Sequence, residues 1–141
     1  MFGNKWLGLG VVSMFISCLA LAADKPPTSK PVDPGIDPTK WAGKWKTNFG
    51  TLETTTDKLT ISGAYTWDKG KLTGLISKNG TEVIGTWSES PDYKPPKNAG
   101  KFSWKMSAGG DSFTGTWGYG DSYTDGSRGG TWTGTRLKAS E

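Results

Sequence analysis

Histidine is absent from this 141-residue chain, and cysteine occurs once, at Cys18. Without histidine there is no His-based triad, no imidazole proton relay and no imidazole metal ligand. Cys18 falls in an N-terminal stretch that reads as a removable leader, so the rest has neither a disulfide nor a thiol nucleophile. Charge of one sign is scarce: the net charge is +4, or +3 without Lys5. That is too mild for a nucleic-acid footprint. Long apolar runs are missing as well. Trp6 to Ile16 is the main one, well short of the about 20 residues that span a bilayer. Aliphatic residues are few, with only ten Leu, Ile, Val and Met between Trp41 and Lys138.

Glycine (21) and tryptophan (8) are abundant instead. The ends of the chain suggest an address. Residues 1–23 read as a secretory signal, with Lys5 as the positive start, an apolar core and small residues at Ala20-Leu21-Ala22. Export to a periplasm or the exterior is the expectation. Phe15-Ile16-Ser17-Cys18 offers lipidation at Cys18 as an alternative. It makes a poor lipobox, because the leading position prefers leucine and apolar residues follow the cysteine. Residues 24–40 read as a disordered linker. Five of the eight prolines fall there (Pro26, Pro27, Pro31, Pro34 and Pro38) among charged and hydroxyl residues.

Residues 41–138 carry short alternating runs with turn residues about every ten positions, the mark of an all-β sandwich or barrel. Asn79-Gly80 predicts a two-residue type I′ hairpin. Folding there pairs Ile76 with Val83, Gly74 with Gly85 and Leu72 with Trp87. A turn at Asp68-Lys69 predicts Tyr65 opposite Leu72, Gly63 opposite Gly74 and Ile61 opposite Ile76, giving a glycine row at a spacing of 11 residues. A turn at 108–111 pairs Met106 with Phe113, Trp104 with Gly115 and Phe102 with Trp117. The last strand then sets Trp132 beside Trp117 and Gly134 beside Gly115. Gly50 reads as a bulge in a first strand from Gly43 to about Thr55, or as its division into two. The expectation is an antiparallel up-and-down meander of seven to eight strands, a small barrel whose closure stays open if the count is odd.

The layers then sort by end. Trp45, Tyr65, Trp67, Leu72, Trp87, Phe102, Trp117, Tyr119 and Trp132 share one end with the two long connections, 90–99 and 120–128. Ile61, Ile76, Val83, Met106 and Phe113 share the other, which has tight turns. Long loops on a rigid scaffold and the mouths of barrels are where ligands bind. With so few aliphatics the aromatics must also form most of the core, so the barrel is either filled or hollow at that mouth. Trp104, opposite a glycine, is expected inward and buried at mid-height.

Gly43-Lys44-Trp45 with Asn48-Phe49-Gly50-Thr51, Trp104-Lys105-Met106-Ser107 with Phe113-Thr114-Gly115, and Trp132-Thr133-Gly134-Thr135-Arg136 together resemble strands of the avidin/streptavidin family. The wider class of up-and-down barrels that includes lipocalins is also similar. The resemblance implies a β-barrel with a polar set at the closed end and tryptophan walls. It places Thr47, Thr51 and Tyr65 near the polar positions and Trp104 and Trp132 near the wall. Thr47 stands where that family has asparagine, and the stretch from Trp117 to Trp132 is too short for an extra Trp-bearing strand.

Catalytic and metal patterns are weak. Gly110-Asp111-Ser112 and Gly120-Asp121-Ser122 lack a Gly-x-Ser-x-Gly elbow and any histidine, and read as turns. Glu53, Glu82 and Glu89 read as a solvated face rather than a hydrolytic pair. Asp121 and Asp125-Gly126 lack the distal glutamate of a calcium loop. Lys94, Lys97, Lys101 and Lys105, with Tyr93 and Trp104 nearby, approach a basic patch too small for nucleic acid. No catalytic residue, metal or cofactor is assigned. The expected function is an exported, non-enzymatic barrel that takes a small apolar or planar ligand at its aromatic mouth, through Trp45, Thr51, Tyr65, Trp67, Trp87, Trp104, Trp117, Tyr119 and Trp132. The alternative is a filled-core module that binds a protein, such as a protease, or a polysaccharide. Outward threonines (Thr54, Thr56, Thr131, Thr133, Thr135) would suit ice or mineral, but threonine suits strand exteriors anyway.

Overall fold

The computed structural model describes residues 35–127 and 130–139. The expected leader, Cys18 and most of the expected linker lie outside them. Eight strands follow one another: β1 (Gly43–Thr47), β2 (Gly50–Asp57), β3 (Thr60–Tyr65), β4 (Gly70–Ile76), β5 (Glu82–Ser88), β6 (Ala99–Met106), β7 (Ser112–Tyr119) and β8 (Thr131–Arg136). Each pairs antiparallel with the next, and β8 pairs antiparallel with β1, so the barrel is closed. Closure removes the free edges that an open sheet would expose. Gly50 is therefore not a bulge. It enters β2 at φ 89°, after an Asn48-Phe49 turn that reverses the chain and divides the expected first strand.

Side chains alternate inward and outward along every strand, as a pleated sheet requires. Inward rows such as Val83, Trp87 and Phe102, Trp104, Met106 are buried. The hairpins Ile76–Val83, Gly74–Gly85, Leu72–Trp87 and Met106–Phe113, Trp104–Gly115, Phe102–Trp117 pair as expected. Two others are offset by two residues. Gly63 pairs with Leu72, and Ile61 with Gly74, because Tyr65 pairs with Gly70 across a shorter turn. Trp132 pairs with Gly115, and Gly134 with Phe113. The expected level rows fail because closing a barrel requires tilted strands and a staggered register. The glycine row is thus only Gly74 beside Gly85. An even offset leaves every side chain on its expected face. The Asn79-Gly80 turn also differs: only Gly80 has positive φ, 75°, whereas type I′ needs it at both central residues. The loop is longer, closed by the Gly80 N–H on the Ser77 carbonyl, with Asn79 Oδ1 accepting from Ser77 and Thr81.

One end of the barrel is sealed by residues N-terminal to β1. A 3-10 turn, Pro38–Trp41, is capped by Asp37, whose side chain accepts from the Thr39 N–H. Part of the span read as linker therefore belongs to the fold: Ile36 donates its N–H to the Asn79 carbonyl and packs on the core. Trp41 drops into the barrel with no exposed surface, and its Nε1 donates to the Gly80 carbonyl at 2.8 Å. Its ring meets Trp45, Trp104 and Phe113 at centroid distances of 6.4, 6.1 and 5.9 Å. Trp45 was expected at the aromatic mouth; it lies at this sealed end, because the staggered register of the closed barrel pairs it with Arg136, the last residue of β8. Thr54, expected outward, points in and is buried, accepting from Trp45 Nε1 and donating to the Trp41 carbonyl. Arg136 completes the seal. Its guanidinium lies 4.2 Å from the Trp45 ring centroid and donates to the carbonyls of Lys40, Ala42 and Gly110. Truncating Trp41 to alanine would leave a large void under a closed lid. The expected cost is about 3–5 kcal/mol of stability, read as a fall in the urea midpoint with little change in slope.

Candidate functional site

The opposite end carries the connections β1–β2, β3–β4, β5–β6 and β7–β8, and it is open. A cavity of about 250 Å³ is lined there by Phe49, Tyr65, Trp67, Asp68, Trp87, Glu89, Lys97, Asn98, Trp117, Tyr119, Ser127 and Trp132. Six of the nine residues expected to bind are brought together, namely Tyr65, Trp87, Trp117, Tyr119 and Trp132, with Trp67 at the rim. Trp67 sits in the 3-10 turn Trp67–Lys69 and is 55% exposed. Three expected residues are elsewhere. Trp45 is in the sealed end. Trp104 is inward at mid-height and 1% exposed, as expected, but it packs between Phe102, Phe113 and Trp132 as core. Thr51 is exposed on the outer face of β2, opposite Lys46.

The polar set implied by the avidin resemblance does not converge. Thr47 is spent on its own hairpin, donating to the Gly50 carbonyl and accepting the Phe49 N–H. Space deep in the barrel is filled by Trp41, Trp45, Trp104 and Phe113. Only Tyr65 of that set reaches the cavity, where Gly70 makes room for its ring: a Cβ at Gly70 would overlap the Tyr65 ring atoms.

Glu89 was expected on a solvated face and is instead part of the site. It lies two residues beyond Trp87, so strand alternation carries its side chain to the inner rim. The Tyr65 hydroxyl donates to Glu89 Oε1 at 2.8 Å. Partial burial holds the Glu89 carboxyl above the ordinary glutamate value of 4.5, and the nearby Asp68 charge adds to this, while the Tyr65 hydrogen bond opposes it. Burial, and then the Glu89 charge, hold the Tyr65 phenol protonated well above its usual range. The signal that would have found Glu89 was present in the sequence: its parity matches Trp87, not Glu82.

Backbone hydrogen bonds stitch the four loops into a ring. Trp67 N–H donates to the Phe49 carbonyl, Ser90 N–H to Asp68, Glu89 N–H to Asn98, and Gly120 N–H to Ala99. Asn48 clamps β8 through Thr131 and Thr133. Asp125, considered for a calcium loop, accepts the Tyr119 N–H through Oδ1, and Ser122 Oγ accepts from Thr124 and Asp125, as turn residues do. Among the described residues no group of three or more acidic, Cys or His side chains is placed to hold a metal, and no helix is long and apolar enough to cross a membrane.

Three indole N–H groups, on Trp104, Trp117 and Trp132, are buried without an acceptor among the described residues. Buried donors are rarely left so, and two of these three rings line the cavity. A sealed base, a filled middle and a rigid, open aromatic mouth define the class: a closed eight-stranded up-and-down β-barrel, the architecture of avidin-like and lipocalin-like proteins. No family model, curated protein or solved structure matches the chain, so the likeness rests on strand order and closure.

The raised Glu89 pKa fixes the sign of one experiment. The folded state holds this proton more tightly than the unfolded chain. Stability from this group is therefore greatest at low pH and declines as pH rises through 4.5 and the higher folded value. Glu89→Gln keeps an acceptor for Tyr65 and removes the decline. The melting temperature of the variant relative to wild type is expected to rise between about pH 4 and about pH 7. The gain is small because the group is half exposed and screened.

Proposed function

We propose that the protein is an exported, non-enzymatic binding protein that takes a small, partly apolar molecule into its aromatic mouth. One observation carries the reading: the open end of the barrel is walled by seven aromatic side chains and its loops are tied by backbone hydrogen bonds. Walls fixed before binding lose little freedom when a ligand arrives, which favours affinity. At about 250 Å³ the cavity is slightly below the usual range of drug-sized sites, about 300–1,000 Å³, which favours a compact ligand.

The alternative, a filled-core module that stacks sugar rings or grips a protein, needs an exposed aromatic row. Trp87 and Trp117 are 3% and 7% exposed, leaving Trp67 as the one exposed indole among the described residues. A packed mouth would have favoured the loops as the binding element; a cavity there favours a ligand.

Because Trp67, Trp87, Trp117 and Trp132 surround the cavity, their emission is a direct readout. Titration with small lipids, vitamins, amines and sugars is expected to quench or shift it for one class. Trp67→Ala is expected to weaken that binding roughly tenfold, about one rim contact's worth, while the melting temperature hardly moves. Silence across all classes would refute the reading.

A further inference from the structure

We infer that the mouth selects an organic cation, a small ammonium compound held between aromatic walls with Glu89 as its counter-charge. This rests on the mouth being a ligand site and adds the ligand's charge and shape.

The first observation is the balance of charge. Two carboxylates, Glu89 and Asp68, line the cavity against one amine, Lys97. Tyr65 occupies Glu89 Oε1, and no described residue donates to the other oxygen. The one ion pair among the described residues, Lys101–Asp121, is elsewhere. A carboxylate drawn partly out of water and in no ion pair among the described residues is stabilised by a cation that a ligand brings.

The second is the shape of the walls. A flat ligand is best held between parallel rings. The stacked pairs of this protein, Trp41–Trp104 and Trp104–Phe113, are in the packed core. Rings at the mouth meet at corners instead: Phe49–Trp117 at 87°, Trp87–Trp117 at 85° and Tyr65–Trp132 at 78°. A box of mutually perpendicular walls suits a tetrahedral head, and aromatic cages of this kind recognise ammonium groups through the negative ring faces. The expectation of a planar ligand is thereby replaced by a compact, rounded one.

The third is size. A volume of about 250 Å³ equals about eight waters at roughly 30 Å³ each, so it holds a molecule of about eight heavy atoms.

The test compares three molecules of nearly equal size on the full chain at neutral pH. They are choline; 3,3-dimethylbutan-1-ol, in which carbon replaces the quaternary nitrogen; and 3,3-dimethylbutanoate, the anion. Calorimetry and tryptophan emission report affinity. Choline is expected to bind at least about tenfold more tightly than the alcohol, and the anion most weakly. Glu89→Gln is expected to bring choline down to the level of the alcohol. Equal binding of choline and the alcohol by wild type, or a preference that survives Glu89→Gln, overturns the cation inference and leaves the mouth as a neutral site. Absence of binding by all three overturns the inference too, while the wider titration above still decides the mouth. The wild-type ranking needs no variant, so it stands if Glu89→Gln folds poorly.

Discussion

The contact on which this architecture depends is between the Arg136 guanidinium and the Trp45 ring. Arg136 comes from the last strand and Trp45 from the first, so the contact lies on the seam where the barrel closes. The same guanidinium donates to carbonyls of the N-terminal segment and of the β6–β7 turn. Few other side chains could do this. Arginine has a flat face to lay on an indole and several N–H groups around its edge to serve carbonyls. With the segment held, Trp41 is pinned inside, and the sealed end becomes a stack of Trp41, Trp45, Trp104 and Phe113.

That seal decides where a ligand can go. A barrel of eight strands has room for side chains or for one small ligand. Here aromatic side chains take the lower and middle levels, and the ligand space is confined to the mouth. The division follows from composition. With ten aliphatic residues in the domain, the core must be made of indole and phenyl rings. Large rigid rings fill the closed end well, but toward the loops they leave gaps between corners. The ring of backbone hydrogen bonds around the loops keeps those gaps from collapsing.

At the mouth, chemistry and stability pull in opposite directions. Glu89 is partly buried among rings, which holds its carboxyl above the ordinary glutamate value. An apolar residue there would avoid that cost. A charged group kept on the rim of an aromatic cavity favours a ligand of opposite charge, so charge selection by Glu89 follows from the same feature that marks the mouth.

The sequence by itself determined the class, the faces and the polarity of this barrel. Alternation placed Val83, Trp87, Phe102, Trp104 and Phe113 inward, and Trp104 against Gly115 foretold a buried indole. It did so because alternation and tight turns are local properties of the chain. Register, closure and the plug were decided only by tertiary structure. The two-residue offsets at Tyr65–Gly70 and Gly115–Trp132 arise from the stagger that eight strands need in order to close, a condition no single hairpin contains. Trp45 sits at the sealed end because it pairs with Arg136 from the far end of the chain, Thr54 turned inward to meet Trp41 and Trp45, and Ile36 joined the core through Asn79. Glu89 lay between: its parity was written in the chain, but its meeting with Tyr65, which makes it a site residue, required two strands to be brought together by the fold.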